Sequence, residues 1–264
     1  MQTVGTMLMT DTSSKAERQG SIAPPKRQQP PRRLIALTLL TLLGGAMVGG
    51  TGLQAMELVF AGVDLRNGKD INEVCAGCHG EFGQGGKEGE YPRLAGLPAA
   101  FIARQLDLFR DRKRTNLAMV ESVDHRQLPD ADVLDVSAYL ASIEIPSKLP
   151  PVDETAPGFN AYERLLASKR VVQIPRAEGD VEAGKGLYRR ECASCHGARG
   201  EGDAKDAVPF LAGQYTPYLW RQVPKYIDKR RLHDPTAPDE PELLASFSET
   251  DLRNIFAYLS TLDD

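Results

Sequence analysis

Beyond residue 62 the apolar side chains recur at helical spacing. Phe101, Ile102, Leu106 and Phe109 form one such set, and Tyr218, Leu219, Val223 and Tyr226 form another. Members three and four apart share one face of a helix, so each set predicts an amphipathic helix. Pro224 lies inside the second and predicts a kink there. Residues 130–142 and 249–262 repeat the pattern, with Val133, Val136 and Leu140 in one and Leu252, Ile255, Phe256 and Leu259 in the other. Ser248 is a natural N-cap for the last helix, with Asp251 three positions on. Short helices are expected over residues 64–74 and 182–190. No pair of alternating segments is joined by a hairpin turn, so the expected fold class is all-α.

A different pattern precedes these helices. Residues 1–33 are polar and hold Lys26, Arg27, Arg32 and Arg33 among Pro24, Pro25, Pro30 and Pro31. That is too little apolar surface for a core. Residues 34–53 then run without a charge. A basic flank before an apolar run is the layout of an export signal, and about twenty residues also suffice for a membrane-spanning helix. Val59-Phe60-Ala61 is the better cleavage site and Leu53-Gln54-Ala55 the poorer one. Cleavage is preferred to a retained anchor, and Arg32-Arg33 is a weak hint of twin-arginine export. In either case the positive-inside rule sends the remainder to the outer face of the membrane. Residues 1–61 are therefore set apart as leader, signal or anchor.

Charge and composition narrow the function classes. The chain has 264 residues and a formal net charge of −4, and residues 1–61 hold six of its 32 basic and three of its 36 acidic side chains. The remainder, at about −7 by those counts, offers no basic surface for a nucleic acid. Four Cys in this length are too sparse for a disulfide scaffold. Five of the six Met lie in the first 56 residues, which leaves Met119 alone in the rest of the chain.

All four Cys and two of the four His fall in two short runs, Cys75-Ala76-Gly77-Cys78-His79-Gly80 and Cys192-Ala193-Ser194-Cys195-His196-Gly197. C-x-x-C-H is the attachment signature of c-type haem. Two thiols three positions apart on a helical turn reach the two vinyl groups of one porphyrin. The adjacent His then sits beneath the iron as an axial ligand. A redox dithiol or half of a zinc site also uses C-x-x-C. The dithiol lacks its βαβ context, and a zinc site leaves both His unexplained. Two covalently attached haem c groups are expected, on Cys75 and Cys78 and on Cys192 and Cys195, with His79 and His196 as metal ligands.

The surroundings repeat at an offset of 117: Leu94-Ala95-Gly96 with Leu211-Ala212-Gly213, Arg104-Gln105 with Arg221-Gln222, and Asp111 with Asp228. Ala138-Tyr139-Leu140 returns as Ala257-Tyr258-Leu259 with two residues of slippage. This is an internal duplication, with one unit over residues 62–145 and the other over 180–264. Residues 146–179 between them carry Pro146, Pro150, Pro151, Pro157 and Pro175 and read as an extended linker. A short helix is expected within it over residues 160–168.

The haem motif, the P-x-L-A-G segment and the terminal helix ending in A-Y-L together resemble class I cytochromes c. In tandem they are similar to the two-domain dihaem cytochromes c of the c-four type, over residues 64–264. The resemblance implies two small helical folds, each around one haem. It implies that the carbonyls of Pro92 and Pro209 orient the proximal imidazoles, fixing tautomer and basicity. It also implies a distal Met from the loop before the last helix, where Met119 lies, with His125 as a rival. The second unit has no Met. His233 is the strong iron ligand in the corresponding segment 232–241, and an open site or ligation by Lys225 or Lys229 are the alternatives. Thioether ligation raises a haem potential relative to imidazole, so the first haem is expected to be the higher.

The expected function is single-electron transfer among redox proteins, with no catalytic residue. Partners would be a membrane complex, a terminal oxidase or reductase, or other cytochromes. The location would be the periplasm, or its membrane face if the apolar run is an anchor. Two alternatives stay open: a haem enzyme with an open second site, peroxidase-like or sulfur-compound-oxidising, and the anchored cytochrome subunit of a larger respiratory complex. The basic cluster Arg110, Arg112, Lys113 and Arg114 is echoed by Lys229, Arg230 and Arg231. It offsets haem carboxylates, steers an acidic partner, or is a solvated face. Trp220 reads as core or haem packing in preference to an electron relay.

Overall fold

The computed structural model describes Phe60, residues 62–233 and residues 242–262. The polar leader, the apolar run and both cleavage sites other than Phe60 lie outside these residues. Among the described residues no helix is long and apolar enough to cross a membrane. There is no sheet among them, only the isolated bridges Gly86–Tyr91 and Asp203–Val208.

The first unit contains α1 (Leu65–His79), α2 (Ala99–Arg110), α3 (Leu117–Ser122) and α4 (Asp130–Ala141). A short helix, α5 (Ala161–Ser168), lies in the linker. The second unit contains α6 (Val181–Glu191), α7 (Ala193–His196), α8 (Thr216–Ile227) and α9 (Glu249–Leu259). Each unit is built on one crossing, α1 against α4 and α6 against α9. Glycine permits the contact: a Cβ on Gly68 would stand 2.2 Å from the Asp135 carbonyl oxygen, and one on Gly184 would stand 1.8 Å from that of Asn254. Polar side chains fix the register of each crossing. Asp64 caps α1 through the N–H groups of Arg66 and Asn67, while its own N–H donates to Asp135. Asp180 caps α6 through the Ala183 N–H, and its own N–H donates to Asn254.

The apolar faces read from the sequence form the cores. Phe101, Ile102, Val136 and Leu140 pack in one cluster of the first unit. Phe109, Val123, Leu128 and Val133 pack in another, against which Phe60 and Met119 rest. In the second unit Tyr188, Val223, Leu252, Ile255, Phe256 and Leu259 pack together, and Trp220 meets Phe256 edge to face at 4.9 Å.

Several boundaries differ from those expected. The helix expected to end at Val74 continues through the haem motif to His79. Apolar periodicity stops at Val74, which is 79% exposed, yet the backbone ladder goes on until Gly80 ends it. The second copy breaks at Cys192, separating α6 from α7. Met119 sits in the short helix α3, not in a loop. Helix α8 runs through Pro224 to Ile227. The terminal helices stop at Ala141 and Leu259, where Ser142 and Ser260 cap them.

The linker folds back on the first unit. The Val172 N–H donates to the Pro146 carbonyl at 3.1 Å, Val172 and Ile145 are buried with Ala95, and the Arg170 guanidinium covers the Phe82 ring. The two units also meet directly, with equivalent residues making equivalent contacts. Arg104 donates to the carbonyl of Ala207, and Arg221 to those of Gly89 and Glu90. The Gln214 amide accepts from the Arg93 N–H and donates to the Arg93 carbonyl, both at 3.0 Å. The Arg93 guanidinium lies over Phe210.

Candidate haem sites

Each C-x-x-C-H run ends on a glycine that no other residue can replace without strain. Gly80 has φ 82° and ψ 154°, and Gly197 has φ 83° and ψ 160°, a region open to glycine almost alone. A Cβ on Gly80 would fall 2.4 Å from the Gln84 side chain, and one on Gly197 would fall 2.4 Å from Glu201. The turn sends the chain back beneath the histidine. There Nδ1 of His79 meets the Pro92 carbonyl at 3.1 Å, and Nδ1 of His196 meets the Pro209 carbonyl at 2.9 Å. A carbonyl only accepts, so Nδ1 carries the proton and Nε2 keeps its lone pair free. Burial lowers the pKa of both rings against the opposing pull of those carbonyls. They are therefore neutral, as a metal ligand requires.

No disulfide joins any of the four cysteines. Cys75 and Cys192 are half-buried and Cys78 and Cys195 exposed. Burial raises the Cys75 thiol and pushes Cys192 up to about 11. That is opposite to the depressed pKa of a redox-active dithiol. Among the described residues no cluster of three His, Cys, Asp or Glu is arranged to hold a metal ion, so the two Cys pairs do not converge on one zinc site.

The other sequence candidates separate cleanly. Met119 is half-buried on the core cluster of Phe109, Val123 and Leu128. His125 is engaged elsewhere. Its Nδ1 accepts from the buried Arg110 at 3.1 Å, and its Nε2 faces Asp111 at 3.8 Å. Arg110 also binds Asp107 and Asp130. The proton of His125 is thus on Nε2, and neither ring nitrogen offers a free lone pair. His233 is the reverse case. Its Nδ1 meets the Glu242 carboxylate at 2.5 Å, and its ring stacks on Tyr226 at 4.1 Å. Lys225 lies beside Arg114, with its pKa lowered by burial and by that guanidinium.

The basic cluster is not one solvated face. Arg112, Lys113 and Arg230 are exposed, but Arg110, Arg114 and Arg231 are buried. Arg114 and Arg231, equivalent at the repeat offset, converge on the Tyr218 hydroxyl, each at 3.2 Å. Gln105 serves Arg114 and Gln222 serves Arg231. Burial raises the Tyr218 phenol, but the two guanidiniums outweigh it and bring it to about 8. Nε of Arg231 is buried without a partner among the described residues. Two buried like charges held only by neutral side chains require an anion. The carboxylates of a haem meet that requirement, so the residues present fit the group. Glu242 and the buried state of Arg114 and Arg231 were not singled out by the sequence pattern. Glu242 reaches His233 across nine positions with no motif to flag it.

The cytochrome c family profile matches residues 65–144 and 181–263. A cytochrome c4 of Pseudomonas aeruginosa is 28% identical over 230 residues, covering 87% of this chain and 98% of that protein. A thiosulfate dehydrogenase electron acceptor of Thiomonas intermedia is 34% identical over 161 residues, 61% of this chain and 66% of that protein. The solved structure of reduced recombinant cytochrome c4 from Pseudomonas stutzeri shares the fold with a TM-score of 0.57 at 21% identity, over 76% of this chain and 99% of that one. The two matched segments are the two repeats, and each contains one C-x-x-C-H run. The chain therefore belongs to the cytochrome c family, as a cytochrome c4-like electron-transfer protein with one covalent haem c on Cys75 and Cys78 and a second on Cys192 and Cys195.

Proposed function

We propose that this chain relays single electrons between redox proteins on the outer face of the cytoplasmic membrane, with a His/Met haem in the first unit and a His/His haem in the second. The observation that carries this reading is the protonation pattern of the four histidines. His79, His196 and His233 each direct the Nδ1 proton to an oxygen and keep Nε2 free, whereas His125 accepts at Nδ1. Three rings are prepared to bind a metal and one is not.

When bound, each haem supplies a one-electron Fe(III)/Fe(II) couple. The residues of the chain set its conditions. The thiols would fix the porphyrin, His79 would ligate the first haem and His196 the second, and Arg114 and Arg231 would neutralise haem carboxylates. Met119 and His233 would supply the second protein ligand to the first and second haem. The basic flank and uncharged run in residues 1–61, read as an export signal or anchor, support a location at the periplasmic side. The likeness to a thiosulfate dehydrogenase electron acceptor supports a sulfur-compound dehydrogenase as donor, with a terminal oxidase, a reductase or another cytochrome as acceptor. The His233 ring, held by Glu242 and Tyr226 with Nε2 free, weighs against an open, enzymatic second site.

EPR and near-infrared MCD of the oxidised full chain test the ligation. A bis-imidazole low-spin signal that disappears in His233→Ala is expected. A second-haem signal unchanged in that variant removes His233 from the site.

A further inference from the structure

Glu242 makes a contact that electron carriage by itself does not require. Its side chain is only 9% exposed, and a carboxylate taken out of water needs a partner. Nδ1 of His233, at 2.5 Å, is the partner among the described residues. An ionised carboxylate only accepts, so the ring donates from Nδ1 and presents Nε2 as a bare lone pair. Stacking fixes the ring plane: His233 lies on Tyr226 with 13° between the planes, and the Arg231 guanidinium lies 4.8 Å from the Tyr226 centroid. Stacking restrains the tilt of the ring, and the carboxylate restrains its rotation within the plane.

We propose that Glu242 is the positioning residue of the second haem's distal ligand, aiming Nε2 of His233 at the metal and giving its ring imidazolate character. This rests on the reading of His233 as that ligand. The acceptors behind His79 and His196 are neutral carbonyls. A carboxylate draws the Nδ1 proton harder and makes the opposite nitrogen a more basic donor. A more basic donor favours Fe(III), so Glu242 lowers the potential of the second haem beyond what a second imidazole alone would do.

The test is a spectroelectrochemical titration of the full haem-loaded chain, with the first haem as internal reference. Glu242→Gln keeps the size and an accepting oxygen but removes the charge. It is expected to raise the reduction equilibrium constant of the second haem about tenfold, or about 59 mV for one electron. The first haem stays in place and the bis-imidazole EPR signal is retained. Glu242→Asp restores the carboxylate and is expected to bring most of the shift back, which also serves if the amide variant loads haem poorly. A second potential unmoved in Glu242→Gln overturns the proposal while His233 remains the ligand. Equal movement of both potentials signifies a general structural role and overturns it too. Survival of the bis-imidazole signal in His233→Ala removes the ligand itself and with it the underlying reading.

Discussion

His79 and His125 share a side chain but not a chemistry, and the difference lies in which nitrogen holds the proton. The Pro92 carbonyl accepts from Nδ1 of His79, while Nδ1 of His125 accepts from Arg110. Met119→Ala is accordingly expected to turn the first haem high-spin, and His125→Ala to leave its EPR spectrum unchanged. The opposite pattern would make His125 the ligand. The glycines carry a second prediction. In Gly184→Ala the new Cβ would overlap the Asn254 carbonyl, 1.8 Å away. Overpacking of this kind costs about 1–3 kcal/mol, to be read as a lower denaturant midpoint. An unchanged midpoint would mean that the α6–α9 crossing has slack. The cysteines, their histidines and the following glycines were legible in the sequence because the motif packs its chemistry into six adjacent residues. The protonation of His233 was not, because it depends on Glu242, nine positions away.

At the scale of single elements, the one cap read from the sequence, Ser248, is present. Ser248 accepts from the Asp251 N–H, and the Asp251 side chain returns to the Ser248 N–H, a full capping box at the start of α9. Asn160 caps α5 more simply, its side chain accepting from the N–H groups of Tyr162 and Glu163. Ser248→Ala is expected to cost about 1 kcal/mol of stability, measured by chemical denaturation, with both haem spectra unaltered. A spectral change would tie this cap to the second haem site directly. The apolar period failed at α1, because its end sets an exposed Val74 beside Cys75, which packs on the core, and no large apolar side chain follows before Gly80. Helix propensity and the Gly80 terminus, not an apolar stripe, set the end of that helix. The short α3 was missed for a related reason, since its six residues are too few to display a period.

Across the whole molecule the duplication was visible as a fixed offset, but the interface between the copies was not. Its contacts join residues far apart in sequence, such as Gln214 with Arg93 and Arg104 with Ala207. Gln214→Ala removes the two hydrogen bonds that the Gln214 amide makes to the Arg93 backbone, at a cost of about 0.5–1.5 kcal/mol for each. The two units are then expected to unfold in separate steps, where the parent chain melts as one. Scanning calorimetry distinguishes the two cases, and a single cooperative transition in the variant would show that the other interface contacts suffice. The same interface buries Arg114 and Arg231 around Tyr218, so a pair of positive charges lies between the two units. Near-symmetry in the scaffold contrasts with asymmetry in the sequence, where Met119 has no counterpart in the second unit and His233 stands in its segment; the proposed ligation carries that asymmetry to the irons. A redox titration of the intact dihaem chain, followed by EPR at each potential, tests that asymmetry most directly. The account predicts two resolved one-electron steps, with the bis-imidazole haem reduced at the lower potential. Two haems with indistinguishable potentials and identical EPR signals would contradict it.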